Sequence, residues 1–259
     1  MKERICALTF VCFLFTYSIH AQNTRINTYH TIGWLGYFGT FKLNQKFSLH
    51  TEYQFRRVNT FKDWQQGLLR LGVNYQLNQK VQLRFGYAWA ETYPYGEITL
   101  NGFGKDFTEH RLFEMATITD KISILDISHR FVLEQRWIGR YSSANLTNED
   151  EYPFVHRFRY MFRGQIPLKG KETKDKTPYL AFYEEMLIGF GKNINENVFD
   201  QNRIGLLLGY KFNKVARIEI GYINQILQLV REVNNRNVFQ HNNGIALNTY
   251  INFDLSKHP

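Results

Sequence analysis

The sequence is short of the residues that cross-link, interrupt or anchor a chain. Its 259 residues include only two cysteines, Cys6 and Cys12, and five prolines. Both cysteines lie in the first 21 residues, which we expect to be removed, so the remainder cannot be held by disulfides. Beyond residue 21 there is no linker and no apolar run of the roughly 20 residues that a spanning helix needs. An ordinary core, a membrane or a closed hydrogen-bond network must therefore hold the chain together.

The beginning of the chain is typical of a secretory signal peptide. Lys2 and Arg4 give a basic start, residues 5–19 are almost unbrokenly apolar, and a small residue precedes the expected cut. The apolar run is too short for a membrane anchor. We therefore predict a signal peptide over 1–21 and a single domain over 22–259.

Apolar and polar residues alternate through most of that domain, which predicts β-strands with one apolar and one polar face. In one such segment, Phe47, Leu49 and Tyr53 alternate with Glu52 and Arg56. A short extra strand within 23–30 would raise the count to twelve, and ten strands also remain open. The eleven predicted strands are 31–43, 46–57, 65–77, 80–92, 107–119, 121–138, 153–166, 178–190, 201–212, 214–225 and 237–255.

A short polar phrase recurs between strands, as KLNQKFSL, QLNQKVQL and, more loosely, KFNKVARI, at 42–49, 76–83 and 211–218. Each copy is just long enough to reverse the chain, so we interpret it as a hairpin turn and not as a binding motif. Asn44, Asn78 and Asn213 would suit the turn because asparagine tolerates left-handed backbone angles. Residues 119–121 are predicted to turn in the same way.

The remaining connections are longer, and they alternate with the short turns along the chain. The predicted loops are 57–64, 94–106, 139–153, 192–200 and 225–236, and the Lys-rich segment 167–178 is an exception in a short-turn position. This asymmetry is typical of bacterial outer-membrane barrels. The strands are close to the roughly 9–11 residues that cross a bilayer, and aromatics form 16% of the chain.

The sequence therefore predicts an all-β fold, an antiparallel up-and-down transmembrane β-barrel of about 10–12 strands, in the outer membrane of a Gram-negative bacterium. A secreted β-sandwich or calyx is the alternative. An odd strand number would leave the two termini at opposite ends, whereas bacterial single-chain barrels normally have an even number.

Charged residues within the strands share one parity, most densely at 128–137 and 155–163. The opposite register would place arginines in hydrocarbon at about 2–4 kcal/mol each near the midplane, so we expect them to face the lumen. In 178–190 this register leaves Glu184 pointing outward, which requires a bulge or a wet site. The residues predicted to line the lumen are Arg70, Arg84, Arg130, Glu134, Arg136, Arg157, Arg159, Arg163, Glu185, Arg203, Arg217 and Glu219.

Two interpretations of this charged interior remain open. The arginines and glutamates could fill a narrow barrel as ion pairs, or they could form a path for an anionic solute, because a guanidinium donates two hydrogen bonds to a carboxylate or phosphate. His110, His129 and His156 each precede an arginine, so we expect them to point outward and to be interfacial.

Nothing in the sequence indicates an enzyme. Outer-membrane phospholipases carry H-x-S-N-G, but in the nearest match here Gln240 and Asn242 replace the histidine and the serine. We therefore expect no catalytic residue, metal or cofactor. A barrel whose lumen is plugged could instead be an accessory subunit of an envelope complex, with loops 94–106 and 139–153 as its contact surfaces.

Several stretches together resemble a family of uncharacterised proteins common in Bacteroidota. They are WLGYFGTFKLNQKFSLHTEYQFR, YAWAETYPYGE, EHR, SHRFVLEQRW, PYLAFYEE and FDQNRIGLLLGYKFN, and the resemblance covers about 31–253. It implies a signal peptide and an outer-membrane barrel, and it implies no site residues. The expected partners are outer-membrane lipid, the barrel-assembly machinery, and small anionic solutes or an envelope protein, with no nucleic acid.

Overall fold

A computed structural model describes residues 25–194 and 197–257, which contain eleven strands and one short 3-10 helix, Leu255–Lys257. The predicted signal peptide lies outside the described residues. The strands are β1 Arg25–Lys42, β2 Phe47–Val58, β3 Asp63–Gln76, β4 Val81–Thr92, β5 Phe107–Ile122, β6 Leu125–Ile138, β7 Phe154–Pro167, β8 Thr177–Phe190, β9 Phe199–Lys211, β10 Ala216–Val233 and β11 Arg236–Asp254.

The strands form one closed barrel in which each strand pairs with its sequence neighbours in antiparallel fashion. The barrel closes through a parallel pairing of β1 with β11, from Arg25 opposite Asn237 to Lys42 opposite Asp254. With an odd number of strands the first and last run in the same direction, so this closure must be parallel. The predicted all-β barrel and its count of about eleven strands are confirmed. A separate twelfth strand is wrong, since residues 25–30 belong to β1.

The barrel has two different ends. At the turn end, strands are connected by residues 43–46, 77–80, 123–124, 168–176 and 212–215. At the loop end, they are connected by residues 59–62, 93–106, 139–153, 191–198 and 234–235. Arg25 lies at the loop end and Asp254 at the turn end, as an odd strand number requires.

The repeated phrase is a turn, but its asparagines act by a different mechanism from the predicted one. The Asn44 side-chain oxygen accepts hydrogen bonds from the backbone N–H groups of Lys46, at 2.9 Å, and Phe47, at 2.8 Å. Asn78 and Asn213 cap their turns in the same way. The non-glycine residues with left-handed backbone angles lie in other connections: Asn59, Thr60, Phe61, Ser123, Lys176, Asn234 and Asn235.

Three predicted connections differ from the structure in position or length. β5 continues through residues 119–121 and turns at Ser123, where φ is 57°. The loops predicted at 57–64 and 225–236 shorten to 59–62 and 234–235. In the second case β10 carries apolar residues on its inward face, where Leu227 and Leu229 are buried. Because these residues pack inside the barrel, the usual alternation is reversed, and the strand predicted at 214–225 ends short of its observed end at Val233.

The outer face is apolar, with aromatic clusters toward both ends. Phe55 packs on Trp64 and Trp137 on Phe154 toward the loop end, and Phe41 stacks on Phe253 at the turn end. No helix in the described part of the chain is both long and apolar enough to cross a membrane.

Carboxylates interrupt this outer face, and Glu184 and Glu114 are two of them. Glu184 points outward, as predicted, and accepts a hydrogen bond of 3.0 Å from Asn202. The β-bulge expected there lies further along β8, between Leu187 and Ile188. Glu114 accepts a similar bond from Gln135. Glu184 and Glu114 are thus each paired with a neighbouring amide.

Candidate functional site in the barrel lumen

The alternation of β6 and β7 places their charged side chains inside the barrel. Glu134 and Arg157 are almost completely buried, whereas Leu133 and Phe158, their neighbours in sequence, are exposed on the outer face. The other predicted lumen residues also lie inside: Arg70, Arg84, Arg130, Arg136, Arg159, Arg163, Glu185, Arg203, Arg217 and Glu219.

Glu134 is the centre of a buried ion-pair network. Arg157 approaches one of its oxygens at 2.6 Å and Arg159 the other at 2.7 Å. Both arginines come from β7, which pairs with β6, so they reach Glu134 from one side. Arg70 approaches from β3 at 3.8 Å, across the lumen. One carboxylate therefore connects both sides of the interior.

Two further groups of ion pairs adjoin this centre. Glu185 of β8 binds Arg159 at 2.6 Å, Arg130 at 2.9 Å and Arg203 at 3.4 Å.

Toward the loop end, Asp200 binds Arg157 at 2.6 Å and Arg136 at 3.6 Å. Glu109 binds Arg111 at 2.6 Å and also contacts Arg136. The pairs join β3, β5, β6, β7, β8 and β9 into one network.

Hydrogen bonds and cation–π contacts occupy the remaining side of the lumen. The Trp34 indole N–H donates a hydrogen bond of 2.7 Å to Gln65 of β3, and Gln65 donates one of 3.4 Å to Gln225 of β10. Arg56 stacks on Trp34 at 4.1 Å, and Arg203 lies 5.4 Å from the same ring. We call these contacts and the Glu134 network together the lumen layer.

The loop 93–106 folds into the barrel from the loop end. Tyr95 is buried, and its hydroxyl accepts hydrogen bonds from Gln65 and Asn242. Burial raises the pKa of Tyr95. Gln240 donates to the carbonyl of Ile98 at 2.8 Å. The expectation that loops 94–106 and 139–153 are contact surfaces stays a prediction: Tyr95 of the first loop is buried, whereas much of 139–153 is exposed.

The lumen layer separates two chambers that have Arg203 as their only common wall residue among the described residues. The loop-end chamber has a volume of about 280 Å³ and includes Arg56, Arg157 and Arg231 in its wall. The turn-end chamber, of about 340 Å³, includes Arg84 and Arg217. Arginines outnumber carboxylates in both walls, with seven arginines and two carboxylates in each.

The sequence missed some of the residues that complete the network. They are Glu52, Arg56, Glu109, Arg111 and Asp200, all of them buried. Parity could have found Glu52 and Arg56, which share the polar face of β2, and Glu109 with Arg111 on β5. Asp200 is the second residue of β9, after Phe199, so the strand has too few preceding residues for alternation to show which face Asp200 lies on.

His110, His129 and His156 lie on the outer face of the barrel, as their parity predicts. His129 hydrogen-bonds to the Tyr160 hydroxyl at 2.9 Å, and His110 to the Tyr87 hydroxyl at 2.6 Å. His156 stacks on Phe190. Within the described residues, no group of three or more histidine, cysteine, aspartate or glutamate side chains is arranged to hold a metal ion.

The fold and the site define a closed β-barrel whose interior holds a buried arginine–glutamate network. The chain belongs to a family described as a protein of unknown function, DUF2490, whose model matches residues 31–237. The resemblance to an uncharacterised family is confirmed to that extent. No curated protein matches the chain.

Proposed function

We propose that this protein is an outer-membrane β-barrel that is closed to the free passage of solutes and acts as an accessory or structural protein of the envelope. The observation that carries the proposal is the lumen layer. It crosses the barrel between the two chambers, and its central carboxylate, Glu134, has no exposed surface. Opening a path through it would break several buried ion pairs at once.

The outer surface supports the location. Large apolar side chains such as Leu71, Phe85 and Leu206 are exposed on the strands, and aromatic clusters lie toward both ends. A continuous apolar band flanked by aromatic girdles is what a lipid bilayer requires of a barrel. The proposed route is export with the signal peptide 1–21 followed by insertion by the barrel-assembly machinery.

The loop 139–153 is the best candidate for contact with an envelope partner. It has a defined conformation, because Arg140 pairs with Glu151 as a β-bridge and Asp150 accepts hydrogen bonds from the backbone and side chain of Ser142. These bonds lower the pKa of Asp150. The protein would act by binding through such loops, without catalysing a reaction.

A narrow anion-favouring pore is the second candidate. It is favoured by the charge of the lumen, where arginines outnumber carboxylates in the walls of both chambers. Anions would then have to pass the lumen layer between Arg157 and Arg159, so side-chain movements there would gate the flow.

Solute uptake into proteoliposomes would test the closed state. We expect vesicles containing the wild-type barrel to exclude small sugars and small organic anions. The variant Glu134→Ala/Arg157→Ala/Arg159→Ala removes the centre of the layer together with its charges and should admit both.

Fractionation of cells that express the full chain would test the location, and recovery in the inner membrane or the periplasm would refute it.

A further inference from the structure

We propose that the turn-end chamber is a binding site for a small anion with two or more negative charges, of the phosphate or polycarboxylate class. This site goes beyond the closed barrel proposed above and does not depend on whether the lumen conducts.

The chamber has an excess of positive charge that its own carboxylates do not neutralise. Seven arginines line it: Arg70, Arg84, Arg130, Arg159, Arg163, Arg203 and Arg217. Glu52 and Glu185 are the carboxylates of the wall. Even with Glu134 and Glu219, which bind Arg159 and Arg163 from behind the wall, the arginines outnumber the carboxylates by seven to four.

Two of these arginines form no ion pair with any described residue. Arg84 of β4 donates a hydrogen bond of 2.5 Å to the amide oxygen of Asn74. Arg217 of β10 lies 4.2 Å from the ring of Tyr250. Its carboxylate neighbour Glu219 is already bound by Arg163, Tyr179 and Tyr250. Neither guanidinium group therefore has a carboxylate of the described chain within ion-pair distance.

Hydrogen-bond donors are also in surplus here. The Nε–H groups of Arg70, Arg130 and Arg217 are buried without an acceptor among the described residues. A guanidinium carries five N–H donors and no acceptor, so a wall of arginines needs acceptors from elsewhere. An oxyanion supplies several acceptor oxygens, and the planar guanidinium of arginine donates hydrogen bonds to two of them at once.

The size and the entrance of the chamber fit the same ligand class. Its volume of about 340 Å³ is at the lower end of the roughly 300–1,000 Å³ of small-molecule sites. Up to Asp254, the described residues of the turn end include ten lysines and five carboxylates, a field that would draw anions toward this end. The lysines are Lys42, Lys46, Lys80, Lys121, Lys169, Lys171, Lys174, Lys176, Lys211 and Lys214, and the carboxylates are Asp120, Asp126, Glu172, Asp175 and Asp254.

Calorimetric titration of the folded barrel, residues 22–259, in non-ionic detergent would test this site. The probes are inorganic pyrophosphate and citrate, with acetate and chloride as singly charged comparators. We expect saturable binding of pyrophosphate, citrate or both, and no saturable binding of the comparators. A preference between pyrophosphate and citrate would assign the ligand to the phosphate or the polycarboxylate class. No saturable binding of either probe would overturn the proposal.

Variants would locate the binding. Arg84→Gln/Arg217→Gln should weaken it by about tenfold or more, because the variant removes two charged hydrogen-bond donors from the chamber wall. Arg57→Gln is the matched control, since Arg57 lies at the loop end and donates to the carbonyls of Phe61 and Lys62. Equal losses in both variants would indicate general attraction to the surface and would contradict the assignment to the chamber.

A gel comparing unheated with boiled samples would establish that each variant is folded. If the double variant does not fold, Arg84→Gln alone serves, because Arg84 has no carboxylate partner that its loss would leave exposed or unpaired. The wild type provides a second readout. Pyrophosphate or citrate that binds only the folded barrel should raise its unfolding temperature with concentration, and the comparators should not.

Discussion

At the scale of single residues, stability depends on keeping each buried charge with its partners. Glu134 is the clearest case, because two arginines share its carboxylate and neither has much access to water. A buried ion pair adds little net stability compared with an apolar pair, but removing one partner leaves the other charge buried and unsatisfied. The network therefore fixes the side chains in place more than it stabilises the fold.

This argument predicts the effect of removing one partner. Glu134→Gln should lower the free energy of unfolding by about 1–3 kcal/mol, because Arg157 and Arg159 lose a shared counter-ion in a buried site but keep Asp200 and Glu185. Urea unfolding in lipid vesicles, followed by tryptophan fluorescence, would measure the loss. Glu172→Gln is the control: Glu172 lies in an exposed turn, and its loss should change stability by no more than about 0.5 kcal/mol. Equal effects in the two variants would contradict the account.

At the scale of elements, hairpin turns and the closing strand pair determine whether the barrel forms. The asparagine of each repeated turn holds two backbone N–H groups. Asn44→Ala should therefore destabilise the barrel by about 1–2 kcal/mol, since it leaves both without their acceptor. Asn44→Asp keeps an acceptor at the same place and should remain within about 0.5 kcal/mol of the wild type. Unfolding curves of the two variants would show the difference, and an aspartate variant as weak as the alanine variant would argue against capping.

The parallel pair of β1 and β11 leads to a second element-scale prediction. A Cβ atom at Gly244 would overlap the backbone oxygen of Ile32, so a side chain there would force the two closing strands apart. Gly244→Ala should cost at least about 1–3 kcal/mol and reduce the yield of folded barrel. At Gly67 the nearest atom would be 3.7 Å away, so Gly67→Ala should fold normally. Folded yield can be measured by the gel shift between unheated and boiled protein.

Local alternation predicted the strands and the inward arginines because both depend on neighbours along the chain. In β7, for example, Arg157, Arg159 and Arg163 share one parity, and the opposite register would place their charges on the apolar outer face. The same rule failed in β10, where Leu227 and Leu229 face inward to meet the folded-in loop 93–106. That contact, like the pairing of Arg70 with Glu134 across the lumen, joins segments far apart in sequence, so no local pattern could indicate it.

At the scale of the whole molecule, the barrel is a closed wall around an interior that is divided in two. Loop 93–106 fills part of the loop end, and the lumen layer lies beneath it. Shortening this loop to a four-residue glycine–serine connection should therefore widen the loop-end chamber without making the barrel conduct. Proteoliposome uptake would check this, and solute entry after loop removal alone would assign the closure to the loop.

The central claim is that the lumen layer closes the barrel, and single-channel recording tests it most directly. The mature chain would be refolded, shown to be folded by its gel shift, and inserted in a planar bilayer. We predict no discrete conductance steps for the wild type, and steps for Glu134→Ala/Arg157→Ala/Arg159→Ala. Anion-selective steps from the wild type that weaken in Arg157→Ala or Arg159→Ala would contradict the claim and make the arginines the filter of a pore.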